Sequence, residues 1–119
     1  MDFHFDNKHP IYLQLLEQLE LYIASGQLTP GERLPSVRDF AFKAQANPNT
    51  IQRTLAELEA LGLIFTERTN GKFVTTDQKL LKKYREQFAA DKTQKYIQDM
   101  HSLGFENQEI INYITKKGV

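Results

Sequence analysis

The chain has no cysteine, so it can hold no disulfide, no thiolate nucleophile and no cysteine-bound zinc or iron-sulfur centre, and it suits a reducing compartment. No apolar run approaches the roughly 18 residues of a membrane span, and Met1 to Asp6 is acidic and aromatic where a signal peptide would be basic. A soluble, cytoplasmic protein with no membrane partner is expected. Net charge is lacking too: Lys+Arg 15 balance Asp+Glu 15, so any site for a polyanion must be a local patch. There is no phosphate-cradling glycine-rich loop and no glycine-flanked serine with placed partners, and His4, His9 and His101 share no metal-ligand spacing. The histidines read as surface or cap residues, and neither enzymatic activity nor a metal or cofactor is expected. Repeats and low-complexity tracts are also absent.

What is present is a chain of 119 residues, enough for one domain or a small domain with an appendage. With 40% hydrophobic residues, Phe 8 and Tyr 5, it can build a real core. After an irregular start, Pro10-Ile11-Tyr12 opens a helix with Ile11, Leu15, Leu19, Tyr22 and Ile23 on one stripe, and Gly26 closes it. Pro30-Gly31 signals a type II turn, and Pro35 keeps Arg33-Leu34 extended. Ser36 is an N-cap with Asp39 three residues on, and Val37, Phe40, Ala41 and Ala44 form the apolar face of a short second helix. Asn47-Pro48 starts a third helix carrying Ile51, Leu55 and Leu58, which Leu61-Gly62-Leu63 ends. Two helices joined so tightly are a helix-turn-helix candidate. Ile64 to Glu67 and Lys72 to Thr75 then read as strands around a tight Asn70-Gly71 turn.

From Asp77 the composition becomes lysine-rich. Leu80, Leu81, Tyr84 and Phe88 give one helical stripe, and Tyr96, Ile97, Met100 and Leu103 give another before Gly104 interrupts. A last short helix follows, with Phe105 and Ile110 as a hydrophobic staple, Glu109 at the third helical position and Gly118 as terminator. The expected fold is mainly α with a small β-hairpin: a winged helix-turn-helix over residues 1–76, then an all-α dimerisation segment over 77–119.

On a helical wheel with Ile51 at zero, Leu55 and Leu58 lie within roughly 40°, while Asn49, Gln52, Arg53 and Ala56 cluster opposite. Asn and Gln pair bidentately with adenine and Arg with guanine, so this face can read DNA; the rival reading is the wet side of an amphipathic helix. Arg33, Arg38, Lys43 and Arg53 against the single Asp39 make a local basic patch inside a neutral protein. Arg38 and the helix N-termini at Ser36 and Asn47 can hold phosphates while the caps do their ordinary work. The wing tip, Arg68 to Lys72, sets two cations beside a glycine able to approach a groove closely.

These residues also carry a family resemblance. Pro10-Ile11-Tyr12 with Gln14-Leu15, Ser25-Gly26-Gln27-Leu28, Pro30 to Arg38, Asn47 to Ile51 with Arg53, Leu58-Glu59 with Gly62 to Ile64, and Gly71 to Val74 resemble the start of a bacterial GntR-family regulator, over about residues 10 to 75. The short helical tail resembles the YtrA type, whose small C-terminal segment serves dimerisation. The resemblance implies that Arg38 contacts phosphate or base, that Asn47, Asn49, Thr50, Gln52 and Arg53 line the recognition surface, and that Asn70-Gly71 enters the minor groove. Two positions depart from the pattern. The family's wing usually carries a second glycine, in the form Gly-x-Gly, which is missing beside Asn70-Gly71, and Glu106 stands where a serine usually caps the last helix.

The expected DNA-binding set is Arg33, Ser36, Arg38, Asn47, Pro48, Asn49, Thr50, Gln52, Arg53, Thr69, Asn70, Gly71 and Lys72. The expected dimerisation set is Leu80, Leu81, Tyr84, Phe88, Ile97, Met100 and Leu103. Together they describe a homodimeric regulator, a repressor, on a pseudo-palindromic double-stranded DNA operator. Two alternatives stay open: a winged-helix module for protein-protein assembly, and a regulator sensing a small-molecule effector at the dimer interface.

Overall fold

Hydrogen bonds at the expected helix ends are formed in the computed structural model, which describes residues 1–117. The Ser36 hydroxyl accepts the Asp39 N–H at 3.2 Å, and Asn47 Oδ1 accepts the Asn49 N–H at 2.8 Å. Each satisfies a donor that the first helical turn leaves unpaired. Helix α1 spans Ile11–Ser25, α2 Val37–Ala44 and α3 Pro48–Ala60. Helix α3 ends in a Schellman turn: Leu63 N–H reaches Leu58 C=O at 2.9 Å, with Gly62 at φ +81°.

The hairpin follows, β1 (Ile64–Glu67) antiparallel to β2 (Gly71–Val74), in a register running from Ile64↔Val74 to Glu67↔Gly71. Here the structure corrects the sequence reading. The return strand begins at Gly71 and ends at Val74, and Asn70-Gly71 are not the two central residues of a tight turn. Arg68, Thr69 and Asn70 form a three-residue loop, closed by the Asn70 N–H to Glu67 C=O at 3.2 Å. Gly71 spends its positive φ, +98°, on re-entering the sheet. The stretch after Pro30-Gly31 joins from the other side: Arg33 bridges Phe73, and Leu34 N–H donates to Lys72 C=O at 2.8 Å. The wing is thus anchored to the connector before α2.

The chain divides into two compact units, Met1–Arg85 and a second beginning at Glu86. In the first, Leu15, Leu19 and Ile23 from α1, Phe40 from α2, and Ile51, Leu55 and Leu58 from α3 are all essentially inaccessible, with Leu63, Ile64 and Val74 closing the base. Each such side chain contributes roughly 1.5 to 3 kcal/mol on leaving water. The N-terminal stretch is irregular, as expected, but it is tied down along α1. Gln18 exchanges a pair of hydrogen bonds with the backbone of His4, Tyr22 does so with Asp2, and Gln14 does so with Asp6. One helix face therefore acts like a strand edge, and Phe3 is left to pack on Phe40 with ring centroids 5.9 Å apart.

Helix α4 runs unbroken over Gln78–Ser102, so both apolar stripes of the tail belong to one helix, apart from Leu103 just past its end. Its first two turns complete the first unit: Leu81 is 7% exposed within the core, and Leu80 and Tyr84 pack against it. The second unit holds the rest of α4 and α5 (Asn107–Lys117). Phe105 and Tyr113 rings lie 6.3 Å apart, and Ile110 is buried. At the start of α5 the Glu109 carboxylate reaches back to accept the Glu106 N–H at 3.0 Å, one half of a capping box, with Glu106 standing where a serine was expected. Gly118, the expected terminator, lies outside the described residues.

Candidate nucleic-acid interface

Burial of Ile51, Leu55 and Leu58 against α1 and α2 forces the opposite face of α3 outward. Asn49, Gln52, Arg53 and Ala56 are all exposed, and Thr50 is half-buried at their flank. Thr54 is fully buried, and its hydroxyl donates to Thr50 C=O at 2.8 Å, so it imposes no unpaired polar group on the core. Pro48 occupies the first helical turn, where its missing N–H is not needed. Asn47 commits its carbonyl oxygen to the cap, which leaves its amide N–H groups for a ligand.

The turn before α3 carries a feature with no sequence signal. Gln45 lies in the left-handed region at φ +52°, a conformation usually given to glycine, and Ala46 N–H returns to Ala41 C=O at 3.0 Å. This turn sets the angle at which α3 leaves α2.

Arg53 is the one exposed cation of the reading face, and its guanidinium carbon sits 3.9 Å from the centroid of the Tyr12 ring on α1. The two residues are distant in sequence and meet because α1 and α3 pack. Arg38, exposed on the first turn of α2, adds a second cation ahead of the turn. Ser36 holds the N-terminus of that helix.

At the wing, the Arg33 guanidinium occupies the space beside Gly71 that a side chain would need; a Cβ there would stand 3.3 Å from Arg33 Nε. Lys72 donates to Glu59 Oε1 at 3.1 Å and to Thr66 Oγ1 at 2.8 Å, and Asn70 Nδ2 donates to Glu67 at 3.2 Å. The hydroxyl of Thr66 and then the ammonium of Lys72 hold the Glu59 carboxyl below its ordinary range. Lys72 therefore spends two of its three donors within the chain, while Arg68 and Thr69 stand exposed at the tip. Away from these cations, burial and the charges of Glu17 and Glu57 push the half-buried Glu20 carboxyl upward.

The residues expected at the dimer interface divide. Leu80, Leu81 and Tyr84 are used inside the first unit. Phe88 and Ile97 are half-buried, Met100 is buried, and Leu103 is 72% exposed. Ile111, Tyr113 and Ile114 on α5 are exposed as well, outside the expected set. The apolar period of α5 is the sequence signal for them. No helix of the described residues is long and apolar enough to cross a membrane.

The family model of bacterial regulatory proteins, gntR family, matches residues 11–74, which spans α1 to the end of the wing. The chain belongs to the gntR family. As a GntR regulator it is a DNA-binding transcriptional regulator and not an enzyme. It is similar to the uncharacterised HTH-type transcriptional regulator YhcF of Bacillus subtilis, 34% identical over 96% of this chain and 94% of that protein. The HTH-type transcriptional repressor YtrA of the same organism is 33% identical over 88% of this chain and 82% of its own length. Among solved structures, a GntR family transcriptional regulator from Listeria monocytogenes superimposes with a TM-score of 0.85 at 37% identity, over 94% of this chain and 98% of that one.

Proposed function

We propose that this GntR regulator is of the YtrA-like type and acts as a homodimer whose two winged helices occupy the two halves of a pseudo-palindromic operator and repress transcription. Residues 1–76 carry the DNA-binding surface, Leu80, Leu81 and Tyr84 at the start of the following segment complete their core, and the rest of the segment from 77 onward links two copies. The observation that carries the reading is the outward face of α3, where Asn49, Gln52 and Arg53 are exposed opposite a fully buried Ile51, Leu55 and Leu58. A helix so presented fits the major groove, and its donors and acceptors match base edges. Arg38, Ser36 and the cap at Asn47 supply phosphate contacts, and Arg33, Thr69, Asn70, Gly71 and Lys72 supply the wing's approach to the minor groove.

Dimerisation is supported by the apolar surface of the second unit, where Leu103, Ile111 and Ile114 face solvent in a segment too short to bury them on its own core. A two-fold pair would hold two recognition helices near one turn of DNA, about 34 to 36 Å apart, or a multiple of it. The likeness to the YtrA repressor over nearly the whole chain supports both the subtype and the direction of control.

The test is selection of bound duplexes from a genomic DNA pool, followed by titration of the enriched site across salt concentrations. An enriched inverted repeat, bound with a steep inverse salt dependence, is expected because phosphate neutralisation releases counterions. No enrichment and no salt dependence would favour a protein-assembly module instead.

A further inference from the structure

We infer that Tyr12 is a positioning residue for base reading: its ring holds the Arg53 guanidinium in place before DNA arrives. The inference rests on the operator-reading function proposed above and assigns a part in it to a residue outside the helix-turn-helix.

Three observations lead to it. Arg53 Cζ lies 3.9 Å from the Tyr12 centroid, well inside the roughly 6 Å over which a cation is drawn to an aromatic face. Tyr12 is half-buried while Arg53 is exposed, so the ring is the fixed partner and the guanidinium the movable one. The first turn of α1 is also held from below: Gln14 N–H donates to Pro10 C=O, and Gln14 Nε2 donates to the carbonyls of Asp6 and His9, at 3.1 and 2.8 Å. Tyr12 thus stands on an anchored turn.

The chemistry of the stack does not compete with reading. A guanidinium stacks through its flat face and donates hydrogen bonds along its edge, so an arginine lying on a ring keeps its fork for the O6 and N7 of a guanine. A free arginine gives up much rotamer freedom when it pairs with a base; one already stacked has given up part of it on folding. The ring therefore favours the arrangement that fits guanine over other placements of the same charge. Its effect should appear as discrimination between sequences more than as overall affinity. The stack also gives the Pro10-Ile11-Tyr12 stretch a part at the interface, although Tyr12 lies off the recognition helix.

The experiment uses the full-length protein and the duplex enriched from genomic DNA, together with duplexes altered at single positions of each half-site. Tyr12→Phe, which keeps the ring, should behave as wild type. Tyr12→Leu should lose about threefold to fivefold of the preference at the base pair read by Arg53, with little change on duplexes already altered there. In the Arg53→Ala background Tyr12→Leu should have no further effect, because the two residues then act as one unit. In the free protein, the Arg53 side-chain Nε–H resonance should carry a ring-current shift that Tyr12→Phe preserves and Tyr12→Leu abolishes. Additive losses in the double variant, equal weakening on every duplex, or a Tyr12→Phe that behaves like Tyr12→Leu would overturn the positioning role. A wild-type protein that prefers no sequence would overturn the operator reading itself, and is told apart by the first titration.

Discussion

Lys72 Nζ lies 3.1 Å from Glu59 Oε1, so one ammonium ties the wing to the last turn of the recognition helix. Thr66 closes the triangle, its hydroxyl donating to the same carboxylate oxygen at 2.9 Å. The wing and α3 are therefore coupled by a small polar network on the surface as well as through the core beneath them.

That network makes a pH-dependent contribution. Glu59 is depressed below its ordinary value of 4.5, first by the Thr66 hydroxyl and then by Lys72. A carboxyl depressed in the folded state contributes stability that is complete above its unfolded pKa and is lost as pH falls through the folded one. Glu59→Gln should lower the thermal midpoint at neutral pH, and its gap from wild type should close as pH drops from about 5 to 3. With both partners partly exposed, the effect stays within about 1 kcal/mol. Thermal unfolding followed by circular dichroism measures it; a gap independent of pH would show that the ionised carboxylate is not what matters.

Arg53→Ala and Arg38→Ala should fail in different ways. Loss of Arg53 should cost about 1 to 3 kcal/mol and relax preference at one base pair in each half-site. Loss of Arg38 should weaken all sequences alike and flatten the salt slope by about one unit per subunit. Equal loss on every duplex for both variants would remove Arg53 from the readers.

Gln45 offers a test of the turn. At φ +52° an ordinary side chain is strained, so Gln45→Val, with its branched Cβ, should destabilise by about 1 to 2 kcal/mol. Gln45→Gly relieves the strain but adds unfolded-state freedom, roughly 0.5 to 1 kcal/mol, and should fall close to wild type or slightly above it. Urea unfolding decides; a Val variant as stable as wild type would mean that the turn relaxes out of the left-handed region.

The boundary of the DNA-binding unit can be probed by truncation. A chain ending at Thr76 loses Leu81, which is 7% exposed in the core, while one ending at Arg85 keeps it along with Leu80 and Tyr84. The shorter chain should be less stable by about 1.5 to 3 kcal/mol, and both should be monomeric by light scattering. Equal stability would mean that the first turns of α4 contribute nothing to the winged helix. A dimer persisting in either would move the interface off the second unit.

Legibility in the sequence followed the range of the interaction. Ser36, Asn47-Pro48 and Gly62 act on backbone groups a few residues away, so cap, proline and glycine signals placed α2 and α3 within a residue or so. The apolar periods of Ile51, Leu55 and Leu58 then decided which face of α3 is exposed, because a side chain's direction on a helix follows from its position alone. The wing is legible as a hairpin but its loop is not: Asn70-Gly71 suits a tight turn, and only the pairing of Glu67 with Gly71 shows that three residues make it.

Other features needed the third dimension. Nothing near Tyr12 points to Arg53, nothing near Gly71 points to Arg33, and nothing in Gln14, Gln18 and Tyr22 announces a partner for the backbone of residues 2–6; each pair meets only once the helices and the wing have packed. The tail shows the division most plainly. Composition and period made Leu80, Leu81, Tyr84, Ile97, Met100 and Leu103 one class of apolar helix residue. Tertiary packing separated them, because burial depends on what lies opposite each side chain: Leu81 meets the core of the winged helix, and Leu103 is left exposed.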